Sequence, residues 1–210
     1  ADHYSAGRYE LEAMALLSGL FKEHDRLVMV GGSGLYADAV CYGFDDFPPA
    51  DQDLRRKLTE RAMSEGVGAL AEELRELDPE SYAAIDLSNR QRVVRALEVT
   101  LSTGRKFSSF KTNPQKKRFF NVERKILTMP REELYARIDR RAEKMFEAGL
   151  VDEVRSLAAY RDMPALRTVG YSEVFDYLDG RISLDEAVEL VKRNTRRYAK
   201  RQITWFNRYL

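Results

Sequence analysis

The sequence contains very little cysteine and histidine. Its 210 residues include one cysteine, Cys41, and two histidines. A single cysteine excludes disulfide bonds within the chain and fits a reducing compartment. So few sulfur and imidazole groups cannot form an ordinary zinc site. We therefore expect no metal ligands in this chain, and any metal ion would be held by oxygen atoms and a phosphate-bearing substrate.

The sequence also lacks long apolar runs. No stretch approaches the roughly 20 apolar residues that a membrane span requires, and no signal peptide is evident. We therefore expect a cytoplasmic protein without membrane contact. Apolar residues make up 44% of the chain, which is enough for a core and excludes disorder by composition. The chain begins at Ala1 rather than Met, so we expect either a fragment or a protein whose first residues are not included in this sequence.

The formal net charge of +1 conceals segregated charges. Residues 105–125 contain eight basic residues and only Glu123 as an acid, and residues 192–208 contain seven basic residues and no acid. A solvated helix face would explain one such block. Two blocks, with a basic helix between them, favour a surface that binds a polyanion such as nucleic acid.

Helical patterns dominate, and only two segments have the character of strands. These segments are Leu27–Val30 and Val122–Met129. Since a parallel sheet needs more strands than two, we expect the others to lie before Ala1. Ser88 with Gln91, and Ser183 with Glu186, have the spacing of capping boxes at helix starts.

A glycine-rich loop, VGGSGLY at residues 30–36, follows the first of these strands. It has no lysine, and the phosphate-loop pattern G-x-x-x-x-G-K-[ST] occurs nowhere in the sequence. A tight strand-to-helix turn explains the loop by itself. The Ser33 hydroxyl and the bare backbone at Gly32 would nevertheless lie at the sheet edge where α/β proteins bind ligands.

Three helical segments carry side chains that suit nucleic acids or phosphates. Gln91 and Arg95 share a helix face and could contact bases, although a surface ion-pair helix has the same pattern. Arg137 and Arg141 lie beside an apolar stripe, where a planar guanidinium could hold a diphosphate or pair with a carboxylate. Basic residues alternate with aromatic ones at 200–208, a pattern typical of RNA binding that core packing could also produce.

Taken in order, the motifs VGGSGLY, FPPADQDLR, SNRQRVVRALEV, YARIDRRAEKM, ALRTVGY and RRYAKRQITWF resemble the tRNA dimethylallyltransferase family over essentially the whole chain. The resemblance implies an α/β fold: a P-loop NTPase-like three-layer core, incomplete here, with an inserted all-helical domain. It divides the chain into a first core part at 1–46, a helical tRNA-binding insertion at 47–112 and a C-terminal core part at 113–210.

Family members transfer a dimethylallyl group from dimethylallyl diphosphate to N6 of the adenosine 3′-adjacent to the anticodon. The resemblance therefore implies Mg²⁺ as cofactor, the tRNA anticodon stem-loop as partner and a monomeric enzyme. It makes Arg141 the first choice for binding the diphosphate and Arg137 the second. The positions that match tRNA-contacting motifs are Ser33, Arg55, Gln91, Arg92, Val93, Val94, Arg95, Arg167, Thr168, Val169, Gly170, Tyr171, Ser172, Lys200, Arg201, Gln202, Ile203, Thr204, Trp205, Phe206 and Asn207.

Three of these positions depart from the family pattern. Ser33 stands where the family usually has threonine, and it keeps the hydroxyl. Ser172 lacks the usual positive charge, which weakens a phosphate contact there, and Asn207 replaces the more usual arginine. The family's phosphate loop and the aspartate that serves as general base have no counterpart in these residues, so we expect the chain alone to be inactive. A non-catalytic RNA-binding module and an ATP-using P-loop kinase relative are the alternatives.

Overall fold

The computed structural model describes residues 4–112 and 115–210, and within them the secondary structure is helical. The α-helices are α1 (Ala6–Leu20), α2 (Gly34–Tyr42), α3 (Gln52–Ser64), α4 (Val67–Leu77), α5 (Pro79–Ala84), α6 (Arg90–Thr103), α7 (Arg131–Glu147), α8 (Leu150–Ser156), α9 (Tyr171–Leu178) and α10 (Leu184–Phe206). Among the described residues, no helix has both the length and the apolar character needed to cross a bilayer.

The chain divides into two compact units. One comprises Ala1–Val40 with Phe120–Leu210, and the other comprises Cys41–Phe119. The predicted domain limits at residues 47 and 112 lie a few residues inside the second unit. Both divisions give the first unit two separate pieces of chain, but the assignment of these units to a catalytic core and an insertion stays a prediction.

The second unit is a bundle of α3, α4, α5 and α6. Its core is made of aliphatic side chains at helical spacing, including Leu58, Leu70, Leu74 and Leu97, each at most 2% exposed. Such spacing places them on one face of each helix, so burial of that face against its neighbours holds the bundle together. Gly104 ends α6 in the left-handed conformation, at φ +67°, as expected of a C-terminal glycine.

A buried carboxylate fixes the end of this bundle. Asp78 accepts hydrogen bonds from the backbone N–H and the hydroxyl of Ser81 at the start of α5, and from the same two groups of Ser108. Burial acts to raise the pKa of Asp78, but these four donors lower it below its usual value. The carboxylate thus joins α5 to the turn at Phe107–Phe110.

In the first unit, α7 and α9 pack against the long α10. Ile138 and Ala142 of α7 and Val191 of α10 are buried, and Leu150, Val154, Val174 and Phe175 form a second cluster. The predicted capping box at the start of α10 is confirmed: the Ser183 hydroxyl accepts from Glu186 N, and the Glu186 carboxylate accepts from Ser183 N. The predicted box at Ser88 is wrong, because the Asn89 side chain caps α6 by accepting from Arg92 N.

The two predicted strands are absent from the described residues. The segments Leu27–Val30 and Val122–Met129 have no regular secondary structure. Most of their apolar side chains are exposed: Val30 is 90% and Leu127 is 97% exposed. An isolated β segment has no neighbour for its backbone N–H and C=O groups, so sequence pattern alone does not create a strand. The sheet of the predicted α/β core is therefore not confirmed.

Candidate functional site

One pocket of the first unit lies between α7, α10 and the loop that precedes α9. Its volume is about 200 Å³. The wall combines aliphatic side chains with one guanidinium, two threonines and a tyrosine. The lining residues are Ile138, Arg141, Ala142, Met145, Thr168, Val169, Val191, Thr195 and Tyr198.

Helical periodicity explains why these residues meet. The pocket residues of α7 lie three, four and seven positions after Ile138, so they share one face of that helix. The pocket residues of α10 lie four and seven positions after Val191 and likewise share a face. The buried members of each helix pack against the other, and Arg141 lies at the exposed side of this contact. Both helices therefore hold the pocket wall in place.

Arg141 is the one cation that lines this pocket. The nearby acids of α7 are already paired: Asp139 binds Arg196 at 2.5 Å, and Glu143 binds Lys192 at 2.8 Å. The described part of the chain gives the Arg141 guanidinium no hydrogen-bond or ion-pair partner. The structure thus leaves a positive charge available beside an apolar wall. Arg137, the second choice, does not line the pocket.

The loop Thr168–Gly170 contributes Thr168 and Val169 to the wall of the pocket. Gly170 has φ +102°, a conformation that side chains strongly disfavour. It is followed directly by α9, and Thr168 O accepts a hydrogen bond from Ser172 N at 3.0 Å. The Tyr171 hydroxyl donates to Glu153, and this bond raises the pKa of Tyr171. Thr168 and Val169 are therefore held against the pocket by a turn that only glycine suits.

The glycine-rich loop faces the end of α10. Gln202 Nε2 donates to Gly32 O at 2.7 Å. A Cβ at position 34 would lie 2.0 Å from Trp205 Cδ1, and one at position 32 would lie 2.1 Å from Gln202 Nε2. Glycine is therefore required at position 34 by the Trp205 ring, about 170 residues further along the chain, whereas a side chain at position 32 would have to displace only the flexible end of Gln202. Ser33, between these two positions, is exposed.

Asp38 of α2 accepts hydrogen bonds from three side chains within residues 205–209. Its carboxylate accepts from Trp205 Nε1 at 3.0 Å, from Arg208 at 3.1 Å and from the Tyr209 hydroxyl at 2.5 Å. The guanidinium of Arg124 lies 3.6 Å from the centre of the Tyr209 ring. Burial, followed by the bond to Asp38, raises the pKa of Tyr209 to about 12. No motif in the sequence indicated Asp38, Arg124 or Tyr209.

In the second unit, Glu98 organises the predicted arginines. Its side chain is fully buried and accepts from Arg55 at 2.7 Å, from Arg95 at 2.7 Å and from Asp51 N at 2.9 Å. Arg95 also donates to Pro48 O at 3.0 Å, and burial lowers its pKa. Arg55 and Arg95 are therefore committed to fixing the Pro48–Asp51 turn, which favours the ion-pair interpretation of Arg95.

The other predicted tRNA-contacting residues differ in exposure. Val93 and Val94 are 0% and 4% exposed, so both side chains belong to the core of the second unit, and tRNA contact at these two positions stays a prediction. Gly170 is also buried, and Val169, Tyr171, Gln202, Trp205 and Phe206 are half-buried. The exposed positions are Ser33, Gln91, Arg92, Arg167, Thr168, Ser172, Lys200, Arg201, Ile203, Thr204 and Asn207.

The Glu98 arrangement predicts that Arg95→Ala destabilises the second unit. The substitution removes one ionic partner from a buried carboxylate and leaves Pro48 O without its donor. We expect the free energy of unfolding to fall by about 2–3 kcal/mol. The exposed Arg92→Ala is the matched control on the same helix, with a change below about 0.5 kcal/mol. Urea unfolding measures both, and equal midpoints for the two variants would contradict the structural role.

Comparison with known families places the chain among transferases. A family model described as IPP transferase matches residues 1–209. A tRNA dimethylallyltransferase of Cytophaga hutchinsonii is 49% identical over 207 residues, which are 99% of this chain and 68% of that protein. One of Bacteroides thetaiotaomicron is 48% identical and is covered to 67%. The chain thus spans about two thirds of the length of these relatives.

Solved structures give the same result. The full-length tRNA isopentenylpyrophosphate transferase of Bacillus halodurans is 40% identical, with a TM-score of 0.63 over 98% of this chain and 65% of its own. A eukaryotic dimethylallyltransferase, solved acting on tRNA, is 25% identical with a TM-score of 0.76, over 98% of this chain and 53% of its own.

Proposed function

The chain belongs to the IPP transferase family, and on that basis we propose that the protein transfers a dimethylallyl group from dimethylallyl diphosphate to N6 of the adenosine 3′-adjacent to the anticodon of a tRNA. Curated relatives at 48–49% identity carry the name tRNA dimethylallyltransferase. The proposal includes a monomeric, cytoplasmic enzyme that binds the anticodon stem-loop. The observation that carries the chemistry is Arg141, an unpaired cation at the edge of an apolar pocket.

The pocket suits an allylic diphosphate. The dimethylallyl group is a small branched hydrocarbon, and the aliphatic side chains of Ile138, Met145 and Val169 offer it an apolar surface. The diphosphate requires cations, and a guanidinium binds two phosphate oxygens at once. The apolar side chains thus suit the allyl group, and the Arg141 guanidinium suits the diphosphate.

The reaction depends on stabilising the leaving charge. The adenosine N6 lone pair is delocalised into the ring, so the amine is a weak nucleophile. As N6 bonds to C1 of the allyl group, the C1–O bond breaks and its electron pair leaves with the diphosphate. The proton of N6 passes to a general base. Arg141 would stabilise the charge that develops on the bridging oxygen, and such a donor contributes several kcal/mol in a dry site.

Within residues 4–112 and 115–210, no group of three or more Asp, Glu, His or Cys side chains lies close enough to hold an ion. We propose Mg²⁺ as a cofactor that would bind together with the diphosphate, because phosphate oxygens are ligands that this ion prefers. We also propose that these 210 residues alone are inactive, since the resemblance places the phosphate loop and the aspartate base outside them.

A transfer assay tests this function. The complete protein, radiolabelled dimethylallyl diphosphate and an unmodified anticodon stem-loop RNA should yield RNA that carries one label on the adenosine 3′-adjacent to the anticodon. Guanosine has a carbonyl oxygen on C6 where adenosine has the N6 amine. Replacing that adenosine by guanosine should therefore abolish transfer. Binding of the RNA without any transfer would instead favour the RNA-binding module, and phosphate transfer from ATP would favour the kinase relative.

A further inference from the structure

A buried carboxylate joins the two sides of the pocket. Glu173, in the first turn of α9, is 6% exposed. Its Oε2 accepts from Gly170 N at 2.8 Å, and its Oε1 accepts from Asn194 Nδ2 of α10 at 2.7 Å. Burying a carboxylate is costly unless its oxygens find donors. Both oxygens of Glu173 have one, and the donors belong to different elements.

Each donor is next to a pocket residue. Gly170 directly follows Val169, and Asn194 directly precedes Thr195; Val169 and Thr195 both line the pocket. The side-chain oxygen Oδ1 of Asn194 in turn accepts a hydrogen bond from Arg197 at 3.3 Å, and this bond orients the side-chain amide. Glu173 therefore sets the separation of the loop wall and the α10 wall, although it does not line the pocket itself.

A comparison with the capping box of α10 shows that Glu173 does more than cap the start of a helix. Glu186 occupies the equivalent position at the start of α10, where it accepts from Ser183 N at 2.8 Å. Glu186 is exposed, and no bond from its side chain to another helix accompanies the cap in the described residues. An N-terminal cap thus requires neither the burial nor the second partner found at Glu173.

We propose that Glu173 and Asn194 are positioning residues that hold the loop Thr168–Gly170 at the correct distance from α10, and so determine the affinity of the pocket for the allylic diphosphate. This inference rests on the proposed function, because it assigns that ligand to the pocket. Neither residue touches the ligand in this proposal. Their effect is transmitted through Val169 and Thr195.

The pair permits an exchange experiment. In Glu173→Gln, the new amide would present an N–H to the Asn194 N–H, so two donors face each other. In Asn194→Asp, two carboxylates face each other. The double variant restores a donor to an acceptor, with the amide at position 173 still able to accept from Gly170 N. Its net charge equals that of the wild type. A role in positioning therefore predicts loss in each single variant and recovery in the double variant.

The readouts separate positioning from stability. In the complete protein, we expect each single substitution to raise two constants roughly tenfold: the KM for dimethylallyl diphosphate and the Kd of its unreactive thiolodiphosphate analogue. In the double variant, both constants should lie within about threefold of the wild-type values. The control Glu186→Gln should lower the melting temperature without changing either constant. If Glu173→Gln does not fold, Asn194→Ala serves instead, because it keeps the bond between Glu173 and Gly170.

The outcomes also separate this inference from the proposed function. If Arg141→Ala weakens binding of the analogue but Glu173→Gln and Asn194→Asp do not, the positioning role is overturned and the pocket assignment stands. A double variant as impaired as the worse single variant overturns it as well. If wild type and Arg141→Ala bind the analogue equally, the pocket assignment fails and the positioning role fails with it.

Discussion

Arg141→Ala should lower kcat/KM for dimethylallyl diphosphate roughly 10²–10³-fold in the complete protein. The expected size is that of removing one preorganised donor from a developing negative charge in a site that excludes water. The dissociation constant for tRNA should change little, because the substitution removes a contact to the diphosphate rather than to the RNA. Steady-state transfer kinetics and filter binding of the anticodon stem-loop measure the two quantities.

Two further arginines of α7 make this test selective. Arg140 is exposed and does not line the pocket, so Arg140→Ala is the control for lost charge on this helix and should retain its activity. Arg137→Ala examines the second choice from the sequence. Full activity in Arg141→Ala together with a large loss in Arg137→Ala would mean that the diphosphate lies one helical turn away from the pocket described here.

The choice between these two arginines could not be made from the sequence. Their spacing places both on one side of α7, and either could serve a phosphate. What distinguishes Arg141 is that it lines the pocket together with residues of α10 and of the loop before α9, whereas Arg137 does not. The pocket joins residues up to 60 positions apart, from Ile138 to Tyr198, and local spacing contains no information about such contacts.

The helices were largely predictable, whereas the sheet was not. Periodicity and caps are local signals, and the Ser183 capping box and the Gly104 terminus follow them. A strand additionally requires a neighbouring strand, which explains why the segment Leu27–Val30 has no regular secondary structure. The glycine-rich loop shows the same limit: its sequence predicts a close approach, but only the structure identifies Trp205 and Gln202 as the approaching groups.

Some of the assignments from resemblance could have been improved by helix geometry. Arg95 and Glu98 are three positions apart, the spacing of an ion pair on one helix face, so the sequence already contained the interpretation that the structure favours. By contrast, Arg55 reaches Glu98 from 43 positions away. For Val93 and Val94, apolar character next to a basic motif was the available signal for a core position.

The basic residues of α10 form two groups, one paired with acids of α7 and one exposed. Lys192 and Arg196 pair with acids of α7, whereas Arg193, Arg197 and Lys200 are exposed on another side of the helix. Arg201 is exposed beside them, since residues three, four and seven positions apart share a helix face. No acid interrupts the sequence from 192 to 208. This arrangement gives the exposed side a concentrated positive charge that suits an RNA backbone.

Binding of the anticodon stem-loop should therefore weaken steeply with salt. About four phosphate contacts, each contributing a slope of about −0.7 to −0.9, raise Kd roughly 50- to 150-fold between 50 and 200 mM monovalent salt. The double variant Lys200→Ala/Arg201→Ala should reduce the magnitude of the log–log slope by about 1.5 to 2. Arg155→Ala is the matched control, because Arg155 of α8 is paired with Asp152 in its own helix. The slope is proportional to the number of phosphates that the protein neutralises. An unchanged slope in the double variant would therefore contradict phosphate contact by this side of α10.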